Sequence, residues 1–258
     1  MKSIKKVLIV IGILGINVFT LSAQPEIIAH RGFWDYEGSA QNSIFALAKA
    51  QQFGFYGSEF DVYITQDGRL VVNHDNTING LLIEDTPYKK LKNIKLSNGE
   101  KLPTLEKYFK QGKKNKNVRL ILEIKPHSTK EKEDAAVAGV LQMVKRFGLE
   151  KQVEYISFSI NICKTLRESD PEAIIAYLNG DLPPTELKAL SLSGLDYNVS
   201  VFQRNPEWVS EAKQLGLTVN VWTVNNESQM REMIALGVDY ITTDKPLLLR
   251  EIIKSEVQ

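Results

Sequence analysis

Short apolar runs rich in β-branched and aromatic residues, each leading towards an amphipathic stretch, recur eight times along this 258-residue chain. The runs are predicted as strands at Glu26–Ala29, Ser58–Ile64, Leu120–Ile124, Glu154–Phe158, Ala173–Tyr177, Leu195–Val201, Thr218–Thr223 and Val238–Thr242. Helical periodicity is clearest in Ile44–Gln52, which closes at Gly54, and in Glu133–Phe147, which closes at Gly148. A third helix is bounded by Asn226-Glu227-Ser228 and Gly237. Strand and helix alternating eight times without a Pro/Ser linker predict an α/β fold, a closed (β/α)8 TIM barrel. Leu70–Val72 fits a hairpin return across Gln66-Asp67-Gly68. Residues from about 77 to 105 break the alternation. Their turn signals (Asn79-Gly80, Asp85-Thr86-Pro87, Asn98-Gly99) predict a small insertion after the second strand unit, placed over the rim where a barrel keeps its chemistry.

The N-terminus reads differently from the rest. Lys2, Lys5 and Lys6 precede the apolar stretch Val7–Leu14, which runs on to Ser22-Ala23. This pattern predicts a signal peptide over residues 1–23, cleavage before Gln24, and an exported barrel domain over 24–258, periplasmic or secreted. The apolar stretch is short for a membrane span, and no cysteine follows it to carry a lipid, so no stable membrane anchor is expected after removal. Losing three lysines leaves 29 of the 32 basic residues against 31 acids, a formal charge of −2. That balance excludes a nucleic-acid footprint. Cys163 is the single cysteine, which rules out an internal disulfide and leaves the fold to rest on its core.

Charge gathers where the first three predicted strands end. His30-Arg31-Gly32 follows the first; Glu59 and Asp61 lie in the second, alternate residues that share a face; His74-Asp75 follows its return; Glu123-Ile124-Lys125 ends the third. Three carboxylates from two neighbouring strands can converge on one hard divalent metal, Mg²⁺ or Ca²⁺. Arg31 and Lys125 suit phosphoryl oxygens, one as a fork and one as a point charge. His30 and His74, two of only three histidines, suit a general acid and a general base in either assignment, with His30 the preferred base. The set predicts metal-assisted phosphodiester cleavage. Blander readings exist for each part: a core histidine, a solvated strand face, a surface ion pair. They weaken because the residues occur together, and because Glu123 ends the most apolar strand of the chain. His127 is expected in a loop, Asp244 as a cap or orienting residue of the last βα loop, and Cys163 as a packing residue on a helix.

The ordered set His30-Arg31-Gly32, Glu59-Phe60-Asp61, His74-Asp75, Glu123-Ile124-Lys125, Val221–Asn225 and Gly237–Pro246 resembles the glycerophosphodiester phosphodiesterase family over nearly the whole mature chain. The resemblance implies metal ligands at Glu59, Asp61 and Glu123, an acid–base pair at His30 and His74, and phosphate contacts from Arg31 and Lys125. It also implies an apolar wall at Trp222, for which a barrel-filling role is the alternative. The implied reaction releases an alcohol and sn-glycerol 3-phosphate from a small-molecule glycerophosphodiester. Competing readings are a lysophospholipase D- or phosphoinositide-type phosphodiesterase, favoured by an apolar groove around Leu81-Leu82-Ile83, and a non-catalytic phosphoester-binding barrel. One departure stands out: Gln41-Asn42 replaces the family's usual Glu-Asn, removing a charge close to Arg31.

Overall fold

Eight parallel strands close into a ring, formed by Glu26–Ala29, Gly57–Ile64, Arg119–Ile124, Val153–Ser157, Ile175–Tyr177, Gly194–Asn198, Thr218–Trp222 and Tyr240–Thr243. The first strand closes the ring by pairing with both the eighth (Ile28 against Thr242) and the second (Ala29 against Ser58). The structure, a computed structural model, describes residues 24–256. The expected signal segment lies outside the described residues. Among those described, no helix is long and apolar enough to cross a membrane.

Strand alternation divides every strand between two environments. Phe60, Val62, Leu120, Leu122, Ile124, Leu195, Tyr197, Val219 and Val221 face outward into one continuous core under the helices, and each is buried. Ile28, Ile121, Ile156 and Leu178 face inward and fill the barrel axis with a smaller cluster. Below them Tyr56 donates to Glu154 Oε1 (2.8 Å), and Arg119 Nε approaches the same oxygen at 3.2 Å. The N-terminal end is therefore plugged. The histidines and the carboxylates of the second and third strands gather at the opposite end.

Helix boundaries follow local chemistry. Ser43 accepts from the Ala46 amide to start Ile44–Phe53, which Gly54 ends at φ 62°. Thr129 and Gly148 bound Lys130–Phe147 in the same way, and Asn226 and Gly237 bound Glu227–Leu236. The sixth strand differs from expectation. It stops at Asn198, not Val201, because the Asn198 side chain accepts from the Ser200 amide and starts the helix Val199–Arg204. The apolar run Val199, Val201 and Phe202 belongs to that helix and packs into the outer core.

Leu70–Val72 pairs antiparallel with the second strand. Beyond it, Thr77–Ile78 and Leu81–Leu82 form a two-residue ladder across Asn79 (φ 50°) and Gly80 (φ 75°), followed by a short helix at Tyr88–Leu91. A satellite cluster of Tyr63, Val71, Ile83, Leu91 and Leu102 holds this segment down. Ile83 is fully buried there, while Leu82 is half-buried and Leu81 is exposed at the turn.

Candidate active site

The first βα turn carries the first part of the site. After Ala29 the chain turns sharply, with Arg31 at φ 54° and Gly32 at φ 79°. A Cβ on Gly32 would lie 2.6 Å from Ala46 Cβ and 2.9 Å from its carbonyl carbon, so only glycine permits this approach to the helix. The turn points the Arg31 amide at Glu59 Oε2 (2.7 Å). The Arg31 guanidinium donates to Gln41 Oε1 (2.7 Å), and its Nε stands 3.9 Å from Asp61 Oδ2. The neutral amide at position 41 thus holds Arg31 in place, and the second member of the pair, Asn42, donates to Asp61 Oδ2 (2.8 Å).

Glu59, Asp61 and Glu123 offer carboxylate oxygens that all lie within 4.8 Å of one another, and all three residues are buried. Register explains the meeting: Asp61 pairs with Glu123 across the second and third strands, and Glu59 lies two residues below on the same face. Such crowding is costly without a cation. Burial, then the charges of Asp61 and Glu123, push the Glu59 carboxyl well above its ordinary range. Burial and Asp61 likewise push Glu123 up to about 8, against the pull of Lys125. At Asp61 burial acts upward too, but Lys125, His74, Asn42 and Arg31 outweigh it and hold the group low. Lys125 Nζ sits 2.8 Å from Glu123 Oε1 and 3.3 Å from Asp61 Oδ1, and those carboxylates keep it charged despite burial. A buried trio of oxygens carrying more negative charge than its neighbours cancel fits a hard divalent cation.

His30 and His74 line one cavity with Arg31, Glu59 and Glu123. His30 Nδ1 lies 2.8 Å from Asp244 Oδ1, which also accepts from Trp34 Nε1 (2.8 Å), while Asn225 Nδ2 donates to Oδ2 (2.6 Å). Burial would raise Asp244, but the His30 contact and these two donors bring it down to about 2, so it is an anion that fixes the proton on His30 Nδ1. The free nitrogen of His30 is then Nε2. His74 Nδ1 meets Asp75 Oδ1 at 2.7 Å, and burial, partly offset by Asp61, lowers its basicity.

The far wall of the cavity is Ile156, Phe158, Leu178 and Trp222. Trp222 meets Phe158 edge to face at 5.5 Å and donates through Nε1 to the Asp196 carbonyl (2.8 Å), so it both lines the cavity and packs the barrel. His127 is elsewhere: its Nε2 accepts from the Ile64 amide (3.2 Å) behind the second strand. Cys163 is fully buried in the outer core. Sequence reasoning placed Asp244 only in its own loop and missed its bond to His30, along with Trp34, Asn225, Phe158 and Asp196. A usable signal was parity: Tyr240 and Thr242 alternate inward on the strand that pairs with the one leading to His30, and Asp244 follows in the same phase just past its end.

Comparison with known proteins identifies the family and the fold. The sequence profile of the glycerophosphoryl diester phosphodiesterase family matches residues 30–248. The chain is 30% identical to a glycerophosphodiester phosphodiesterase of Caldanaerobacter subterraneus over 247 residues, 88% of this chain and 97% of that protein. It is similar to the crystal structure of a glycerophosphodiester phosphodiesterase from Parabacteroides distasonis, at TM-score 0.90 and 51% identity, covering 91% of this chain and 99% of the other. An Oleispira antarctica phosphodiesterase, solved in complex with the product sn-glycerol-3-phosphate, aligns at TM-score 0.80 and 27% identity over 90% of this chain and 97% of its own. The chain with the buried carboxylate trio at the mouth of its barrel belongs to the glycerophosphoryl diester phosphodiesterase family.

Proposed function

We propose that the protein hydrolyses glycerophosphodiesters to an alcohol and sn-glycerol 3-phosphate, using one divalent cation, Mg²⁺ or Ca²⁺, and proton transfer by His30 and His74. The observation that carries this reading is the convergence of three buried carboxylates, two of which, Glu59 and Glu123, line a cavity that both histidines share. Glu59, Asp61 and Glu123 would hold the cation, which when bound neutralises phosphoryl charge and polarises the P–O bond. Arg31 orients the phosphoryl group through its guanidinium, steadied by Gln41. Lys125 adds a fixed positive charge behind the carboxylates.

His30 takes the proton of the attacking hydroxyl at Nε2. Its Nδ1–H stays on the Asp244 anion, which stabilises the imidazolium as it forms. His74 gives its proton to the departing alkoxide, a poor leaving group until protonated. Burial lowers its basicity, so the proton it carries is readily given up. Phe158 and Trp222 exclude water from the organic end of the substrate. Export is proposed on the basic-apolar pattern of residues 1–23, and the first residue of the mature secreted protein should then be Gln24.

The test is release of sn-glycerol 3-phosphate from glycerophosphocholine and glycerophosphoethanolamine with Mg²⁺, with Ca²⁺ and with EDTA, beside His30→Ala. Activity that requires a cation and disappears in the variant supports the reading. No turnover with either cation would refute it.

A further inference from the structure

We infer that Asp196 is the anchor at the cavity floor for a hydroxyl group on the glycerol end of the substrate. The inference rests on the glycerophosphodiester reading above and adds a specificity-determining residue to it. Leu195 and Tyr197 face the outer core, so Asp196 faces the barrel interior from the sixth strand. It lines the same cavity as His30, His74, Glu59 and Glu123, on the side walled by Ile156, Phe158, Leu178 and Trp222. The residue is only 2% exposed, and its Oδ1 is buried with no hydrogen-bond partner.

An unpaired carboxyl oxygen in such a place costs free energy in the ligand-free protein, and most buried polar atoms avoid that state. Its neighbours relieve it only in part. Asn220, opposite Asp196 in the register, pulls against the effect of burial on the carboxyl, but its Nδ2 donates to Thr242 Oγ1 at 2.9 Å and Oδ1 keeps no partner of its own. Trp222 Nε1 is spent on the Asp196 backbone carbonyl. The vacant bond therefore points to a ligand atom.

The ligand class follows from what Oδ1 can accept and what surrounds it. A phosphoryl oxygen is anionic, so it belongs at Arg31 and at the cation the carboxylate trio would hold, not at a further carboxyl. Burial raises the Asp196 acid to about 7, so near neutrality it is shared between acid and anion. A hydroxyl can donate to the anion and accept from the acid; an ammonium can do only the first. A neutral hydroxyl on a short carbon stem, resting against Trp222 and Phe158, fits both the polar point and the apolar wall. Diesters without that hydroxyl would leave Oδ1 unpaired and lose the benefit.

Binding of sn-glycerol 3-phosphate and of n-propyl phosphate to the cation-loaded protein separates the hydroxyl from the phosphoryl group. Calorimetry on wild type, Asp196→Ala and Asp196→Asn should show affinity for sn-glycerol 3-phosphate falling about tenfold or more in the alanine variant, while n-propyl phosphate changes by less than about twofold. Asp196→Asn keeps the volume and a neutral acceptor but loses the anion, so affinity for sn-glycerol 3-phosphate should fall in the same direction by a smaller factor, about threefold or more; it carries the test should the alanine variant fail to fold. Equal losses for both ligands would make Asp196 structural and overturn the inference, as would unchanged affinity for sn-glycerol 3-phosphate. A wild type that turns over no glycerophosphodiester refutes the parent reading, an outcome distinct from active wild type with indifferent variants.

Discussion

Replacing Asp244 by asparagine tests whether the His30–Asp244 pair sets the proton inventory of the site. Asp244 Oδ1 accepts from His30 and Trp34 and Oδ2 from Asn225, while its own amide donates to Asn225 Oδ1 at 2.8 Å. An amide has one acceptor oxygen for these three donors. With that oxygen towards His30 and Trp34, the new NH₂ faces the Asn225 NH₂, donor against donor. The anion is then gone from behind the imidazole, and a charge-assisted hydrogen bond is worth about 1.5–3 kcal/mol. That corresponds to roughly a 10- to 150-fold loss in kcat/KM. With the amide turned over, NH₂ meets His30 Nδ1, the proton moves to Nε2, and the base is lost; a wrong tautomer of this kind costs on the order of 10⁴ in kcat in a well-studied serine protease. Asp244→Asn should therefore lower kcat/KM at least tenfold, mainly in kcat, because Asp244 lies behind His30 and not against the phosphoryl group. Initial rates of sn-glycerol 3-phosphate release at saturating divalent cation, with the fold checked by circular dichroism, measure it. A loss smaller than about threefold would refute the role given to this pair.

Three further outcomes follow from the same geometry. In cation-stripped protein, folded Glu59 and Glu123 keep protons that the unfolded chain releases near its ordinary carboxyl range, so unfolding sheds protons and stability falls as pH rises from about 4.5 to 8. Melting temperatures across that range should decline, recover with Mg²⁺ or Ca²⁺, and decline less in Glu123→Gln; a flat profile would contradict the crowding. Gly32→Ala should cost about 2 kcal/mol or more, since it adds a left-handed L-residue to a 2.6 Å contact with Ala46, and urea unfolding reads that directly. Gln41→Glu should raise KM several-fold with kcat nearly unchanged, because a carboxylate binds Arg31 more tightly and adds negative charge beside the phosphoryl site; unchanged or lower KM would show that Arg31 is not a substrate contact.

What could be read from the chain alone divides along physical lines. Glu59, Asp61, Glu123 and Lys125 were legible because a strand puts alternate residues on one face, and charge in an otherwise apolar strand demands a reason. The Asp244–His30 bond was not, since 214 residues separate the partners and only ring closure makes their strands neighbours. Val199 and Val201 mislead for a different cause: a buried strand and a buried helix face have the same composition over a few residues, and the cap at Asn198 decides between them. Asp196 stood as a lone acid between Leu195 and Tyr197, a pattern that invites a structural explanation until the vacancy at Oδ1 is seen.

Charge around the carboxylate trio argues that cation and substrate belong to one site. Glu59, Asp61 and Glu123 carry −3 when ionised; Arg31 and Lys125 return +2, and the His30–Asp244 and His74–Asp75 pairs lie to the sides. The stripped protein relieves the crowding by holding protons on Glu59 and Glu123. A divalent cation turns the surplus of −1 into +1, and a phosphodiester monoanion brings the sum to zero. Neither partner balances the site alone in a buried setting where uncompensated charge is expensive. Each should therefore tighten the other's binding, by equal factors as linkage requires. Calcium affinity measured with and without sn-glycerol 3-phosphate reads that coupling, and independence of the two would mean that the cation and the phosphoryl group do not share the trio.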